Sequence, residues 1–294
     1  MYSQIIKHFI EQELLPQSYL ADAEKYFTPL VHSIINKTSD SKTPPIIGVS
    51  GAQGTGKTSL SELLENILKI EGFNVVRFSI DDFYLTKMDR QNLAKTYHPL
   101  LKTRGVPGTH DTHLLSIILN KLISQTSKSS IEVPQFSKAL DDRFPENQWK
   151  VINLPVDLII LEGWFVGATP IPVKSLKHPI NELEATEDKD SRWRRFMAKQ
   201  LEEEYQNIFG QLNLLILLKA PSFEQVFNWR NLQEIKLRKR EQNSAGVMSE
   251  EQLLRFIQHY ERLTRHCLEV LPRKADVVYV LNNKHRIISC FGLD

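Results

Sequence analysis

The sequence has 294 residues, 41% of them hydrophobic and 24% charged, which suits a globular protein with a sizeable core and excludes a disordered tail or a small disulfide-stapled scaffold. Lys and Arg number 37 against 35 Asp and Glu, a net charge of +2, so the balance demands neither a nucleic acid nor a membrane surface as partner. The two cysteines, Cys267 and Cys290, lack the CxxC spacing of a zinc or redox site and read as reduced thiols of a cytosolic protein.

In chain order, Ile5, Ile6, Phe9, Ile10 and Leu14 recur at helical spacing and predict an amphipathic helix ending near Pro16, with a second helix after it. This opening segment carries two Glu and no run of small apolar residues, so it resembles neither a signal peptide nor a transit peptide. No later stretch approaches the roughly 20 apolar residues of a membrane span, and the expected location is the cytoplasm. A polar, proline-ended break (Ser39 to Pro45) then leads into Ile46-Ile47-Gly48-Val49-Ser50, a run typical of buried parallel strands. Residues 1–44 are therefore expected to form a helical N-terminal extension and residues 45–294 the main domain. A glycine-rich loop, a helix through Leu60 to Leu68 and a second apolar run, Val75 to Ile80, complete a βαβ unit. Further strand candidates are Val156 to Leu161, Leu212 to Leu218 and Val277 to Leu281, so the expected fold is α/β with a parallel sheet flanked by helices. Insertions are expected near 86–153 and 168–210. In the second, PINELEATEDKDS is too polar for a core, and Arg192, Arg194 and Arg195 read as a solvated helix face.

The strongest motif is Gly51-Ala52-Gln53-Gly54-Thr55-Gly56-Lys57-Thr58, which matches GxxxxGK[ST] between a strand and a helix. Its glycines let backbone N–H groups turn toward phosphate, the helix N-terminus adds partial positive charge, Lys57 reaches the β- and γ-phosphates, and the Thr58 hydroxyl suits Mg²⁺. With Ser59, these residues are the candidate ATP site. Asp81 and Asp82 follow the second strand, at the strand ends where open α/β sheets bind ligands. One carboxylate of the pair suits an acceptor hydroxyl's proton, the other a metal-bound water, and Tyr84 is a further acceptor contact. Glu162 ends an apolar strand before Gly163, the usual place for an acidic group serving Mg²⁺. Arg104 in RGVPGTHD offers a guanidinium to a substrate carboxylate and Asp111 an acceptor to a substrate hydroxyl, while His110 reads as structural or rim. Lys138 and Arg143 are candidates to neutralise an anionic substrate.

GVSGAQGTGKTS followed by IDDFYLT resembles the P-loop kinases of the uridine kinase, phosphoribulokinase and pantothenate kinase group. Within it the chain is most similar to the D-glycerate 3-kinase family, through Arg104 to Asp111, Val133-Pro134-Gln135-Phe136 with Lys138 and Asp142-Arg143, and LPVDLIILEGWF. The chain departs at Ser137, where the family tends to have Asp. The resemblance implies a P-loop NTPase fold with a lid near 222–247, in which Arg230 closes over the phosphates ahead of Arg238 and Arg240, and a hydroxyl-reading role for Asp111. It implies transfer of the ATP γ-phosphoryl group to D-glycerate, with Lys57, Asp81 and Arg230 catalytic and Thr58, Asp82 and Glu162 serving the metal. The alternatives are the same chemistry on another small alcohol, such as a nucleoside or pantothenate-like compound, or an ATP-hydrolysing switch. The expected partner is a small hydroxyl-bearing molecule, with neither nucleic acid nor membrane.

Overall fold

The computed structural model describes residues 2–240 and 249–293. Its strands are β1 (Ile46–Gly51), β2 (Val75–Ser79), β3 (Ser129–Val133), β4 (Phe136–Ser137), β5 (Asp142–Arg143), β6 (Lys150–Leu154), β7 (Leu158–Gly163), β8 (Leu214–Lys219), β9 (Val277–Leu281) and β10 (Ile287–Phe291). The helices are α1 (Ser3–Gln12), α2 (Ser18–Asp22), α3 (Thr28–Ser39), α4 (Lys57–Ile70), α5 (Lys87–Thr96), α6 (Thr112–Ser124), α7 (Glu182–Glu187), α8 (Arg192–Gln200), α9 (Gln206–Phe209), α10 (Phe223–Arg240) and α11 (Glu250–Val270).

β1 and β7 are aliphatic runs buried along their whole length, as inner strands covered on both faces must be. The main sheet runs β10-β9-β8-β1-β7-β2, parallel from β9 to β2, with β10 antiparallel at the edge. β1 and β2 are thus not neighbours, and β7 lies between them. Its Glu162 stands opposite Val49 of β1 and Ser79 of β2, so this register brings the ends of β1, β2 and β7 to one edge.

Helices cover both faces. On one, Ile6, Phe9 and Ile10 of α1 and Leu30, Val31 and Ile34 of α3 share a core with Leu63, Leu64 and Ile67 of α4 and with β9. On the other, Leu115, Ile118, Leu119 and Leu122 of α6 pack with residues of α8, α9 and α11. The first expected insertion therefore contains a core-forming helix together with the antiparallel pairs β3-β6 and β4-β5. No helix among the described residues is long and apolar enough to cross a membrane. Cys267 is buried, Cys290 is half-buried, and both are free thiols.

The second insertion corrects the expectation of a solvated polar segment. Glu184 and Asp188 are fully buried, and so is Arg194, while Arg192 and Arg195 are exposed. Each buried charge has a partner: Arg194 Nη1 donates to Asp188 Oδ2 at 2.7 Å, and Arg262 Nε of α11 donates to Glu184 Oε1 at 2.7 Å. Arg194 Nε also donates to the Leu176 carbonyl and Arg262 Nη1 to that of Ser175. Composition alone hides such pairs, because burial of a charge depends on the partner it meets in the fold, 78 residues away for Glu184. Arg194→Ala leaves Asp188 buried without its counter-charge and is expected to lower stability by about 3–5 kcal/mol, measured by denaturant unfolding.

Candidate active site

The turn after β1 is built from glycines at positive φ, Gly54 (φ 81°) and Gly56 (φ 89°), a region that side-chain-bearing residues rarely adopt. A Cβ at Gly54 would also lie 2.9 Å from the Trp229 side chain, so the loop is closely backed by α10. Thr55 Oγ1 donates to the Ala52 carbonyl at 2.8 Å and helps shape the turn. Lys57 and Thr58 then open α4. Burial lowers the pKa of Lys57, against the opposing pull of Glu162 and Asp81.

Thr58 Oγ1 donates to Glu162 Oε1 at 3.0 Å. Glu162 is buried, and its second oxygen, Oε2, has no hydrogen-bond partner among the described residues. A buried carboxylate oxygen without a donor, beside a hydroxyl, is a donor set that fits Mg²⁺, a cation that prefers oxygen ligands.

Asp81 stands in a short 3₁₀ turn, Ile80–Phe83, that leaves β2. Its Oδ1 accepts from the Tyr84 hydroxyl at 2.8 Å and its Oδ2 pairs with Lys138 Nζ at 3.0 Å. Burial would raise this carboxyl, but Lys138, Lys57 and the Tyr84 hydroxyl outweigh it and hold it below the ordinary carboxylate range. Asp82 faces differently. Its Oδ2 accepts from the Ser79 N–H at 3.0 Å as part of a capping box, and burial pushes its carboxyl up to about 6. It lines a smaller polar recess of about 270 Å³ with Ser79, Arg77 and Glu162, not the cavity above the phosphate loop.

That cavity, of about 360 Å³, is lined by Gln53, Gly54, Gly56 to Ser59, Asp81, Tyr84, Arg104, Lys138, Trp164, Arg230, Phe256 and Tyr260. The structure thus brings together Lys57, Thr58, Asp81, Tyr84, Arg104, Lys138 and Arg230, which lie far apart in sequence. Arg104 pairs with Asp141, lies over the Phe136 ring at 5.4 Å and has its carbonyl held by the Tyr260 hydroxyl. Asp111 and Arg143 are not brought to the cavity. Asp111 Oδ1 caps α6 by accepting from the Leu114 N–H at 2.9 Å, and Arg143 spans Asp111 and the Tyr84 carbonyl. An Asp just before an apolar helix is the sequence signal of a cap, and that signal was present at Asp111. His110 is buried beneath the site, not on its rim, with its ring 4.5 Å from that of Tyr84 and Nδ1 2.7 Å from the Tyr205 hydroxyl. Burial pushes its pKa down to about 3, so it is neutral.

Phe256 and Tyr260 of α11 and Trp164 after β7 wall the cavity, a role their sequence setting on an amphipathic helix or beside a strand does not distinguish from core packing. Of the expected lid, Arg230 lines the cavity, whereas the side chains of Arg238 and Arg240 and residues 241–248 lie outside the described residues. A second cavity of about 390 Å³ meets the first at Gly54, Gly56 and Ser59. It is walled by Tyr19, Leu232, Trp229 and His285, the last two rings stacked with centroids 4.0 Å apart.

No family model matches the chain. It is 32% identical over 254 residues to the uncharacterized kinase mug58 of Schizosaccharomyces pombe, an alignment covering 78% of this chain and 87% of that one. It is 29% identical over 237 residues to the chloroplastic D-glycerate 3-kinase of Arabidopsis thaliana, covering 78% of this chain and 49% of the relative. The solved D-glycerate 3-kinase of Cryptococcus neoformans shares the fold with a TM-score of 0.70 at 24% identity, over 88% of this chain and 95% of that one.

Proposed function

Because the chain belongs to the D-glycerate 3-kinase family of ATP-dependent P-loop kinases, we propose that it phosphorylates D-glycerate at its 3-hydroxyl, giving 3-phosphoglycerate and ADP. The observation that carries this reading is the charge of the cavity: Lys57, Arg104, Lys138 and Arg230 line it, and Asp81 is the one carboxylate among its described lining residues. With Lys57 and Arg230 given to the phosphates, Arg104 and Lys138 are the cations left for an anionic acceptor, which would replace Asp141 and Asp81 as their partners, and the aromatic wall of Trp164, Phe256 and Tyr260 limits it to a small one.

In this reading the Gly54 to Lys57 backbone cradles the β-phosphate and Lys57 extends to the γ-phosphate. Thr58 and Glu162 would hold Mg²⁺, which would supply neutralisation of the phosphate oxygens. The nucleoside lies in the second cavity, against Trp229, His285 and Tyr19. Arg104 and Lys138 take the acceptor carboxylate, which aims the 3-hydroxyl at the γ-phosphorus with Asp81 beside it. As the new P–O bond forms and the bond to ADP breaks, Arg230 offsets charge on the transferred group and Asp81 takes the hydroxyl proton. A loose transition state makes alignment matter more than basicity.

Glu162→Gln is expected to raise the Mg²⁺ concentration for half-maximal rate by about tenfold or more, read from a metal titration of turnover. The acceptor assignment is tested by ADP release from MgATP with D-glycerate, L-glycerate, uridine, pantothenate or ribulose 5-phosphate. D-glycerate is expected to give the highest kcat/KM. A higher value for another compound overturns the acceptor, and equal ADP release without any acceptor points to the switch.

A further inference from the structure

The acceptor-reading carboxylate is covered. Lys138 projects from the turn between β4 and β5, and its Nζ lies 3.0 Å from Asp81 Oδ2 while the Tyr84 hydroxyl holds Oδ1. The turn itself is well anchored: Ser137 Oγ accepts from the Leu140 N–H, Arg90 donates to the Asp141 carbonyl at 2.6 Å, and Asp142 accepts from the Lys87 N–H. The Lys138 side chain is the loose part, 67% exposed on a four-carbon stem. An anchored turn thus delivers a movable cation onto the carboxylate that faces the reacting hydroxyl.

We propose that Lys138 is a specificity-determining shield: its ammonium stays on Asp81 until an anionic group of the acceptor draws it away, so that water and neutral alcohols meet a masked carboxylate. An ammonium has no acceptor capacity and takes the nearest anion, so a carboxylate entering between Lys138 and Arg104 competes directly with Asp81 for it. A neutral acceptor offers no such exchange. The arrangement favours charged acceptors twice, once by binding them and once by uncovering Asp81 only when they are present. It also suppresses transfer of the γ-phosphoryl group to water, in which the P–O bond to ADP breaks and a water oxygen replaces it. The inference rests on Asp81 as the acceptor-hydroxyl residue and deepens that reading of the site.

The test compares the full chain with Lys138→Met and Lys138→Arg, measuring ADP release from MgATP with no acceptor, with glycerol and with D-glycerate. Lys138→Met is expected to raise acceptor-free ADP release and the glycerol kcat/KM by about tenfold, while the D-glycerate value falls by about 100-fold. Lys138→Arg, which keeps a cation there, is expected to raise acceptor-free release several-fold less than Lys138→Met does. The exposed side chain makes an unchanged melting temperature the expected control. Acceptor-free release that does not rise in Lys138→Met overturns the shield, even if D-glycerate turnover falls, because a lysine that only binds carboxylate lowers that value alone. If neither D-glycerate nor glycerol stimulates the parent, the assigned acceptor fails, while acceptor-free release still decides the shield.

Discussion

Lys57→Ala is expected to lower kcat by about 10³-fold or more while the protein stays folded. Lys57 opens α4 and lines the cavity half-buried, where desolvation lowers its pKa and the charges of Glu162 and Asp81 oppose that shift. A cation held in such surroundings is oriented before the reaction begins, so it stabilises developing charge on the phosphates without reorganising solvent. Its removal takes away that stabilisation. The α4 face that packs on the sheet is made by Leu60, Leu63, Leu64 and Ile67, which the substitution does not touch. Steady-state kinetics with circular dichroism check both halves of the expectation. Turnover retained in a folded variant would contradict the phosphate-site assignment.

Asp81→Asn is the second large effect, with kcat expected to fall by about 10²–10³-fold and ATP affinity to change by less than about threefold. The asymmetry follows from position. Asp81 lines the cavity beside Tyr84 and Lys138, the groups the proposed reading gives to the acceptor, whereas Gly54, Gly56 and Lys57 belong to the turn it gives to phosphate. An amide keeps the size and the Tyr84 contact but cannot take the hydroxyl proton. Unchanged kcat would remove that role from Asp81. Asp82 is a poor substitute as it stands, since its Oδ2 is committed to the Ser79 N–H and it faces the smaller recess.

The parts of this site legible in the sequence are those written in contiguous residues. The strand, glycine turn and helix from Ile46 to Ile70 follow from an apolar run, the glycines of GxxxxGK[ST] and apolar residues at helical spacing, all local signals. The strand-end positions of Asp81 and Glu162 were readable for the same reason. Strand order was not: β7 entering between β1 and β2 depends on contacts between segments about a hundred residues apart, and β10 carries too short and mixed a run to stand out. Charged residues were the least legible. Asp111 and Arg143 sit among reactive-looking neighbours yet spend their charges on a helix cap and a carbonyl, while Glu184 and Arg194, read as solvent-facing, are buried because Arg262 and Asp188 meet them. The fate of a charge depends on its partner, and for Arg143 and Glu184 that partner is remote in sequence.

In the proposed reaction this cavity moves the γ-phosphoryl group of ATP onto the 3-hydroxyl of a small anionic alcohol. The measurement that tests it most directly is identification, by mass and phosphorus NMR, of the product formed from MgATP and D-glycerate. A monophosphate ester at C3 is expected, formed one for one with ADP and missing from the Lys57→Ala reaction. Inorganic phosphate as the sole phosphorus product beside ADP, or an ester formed equally well by Lys57→Ala, would contradict it.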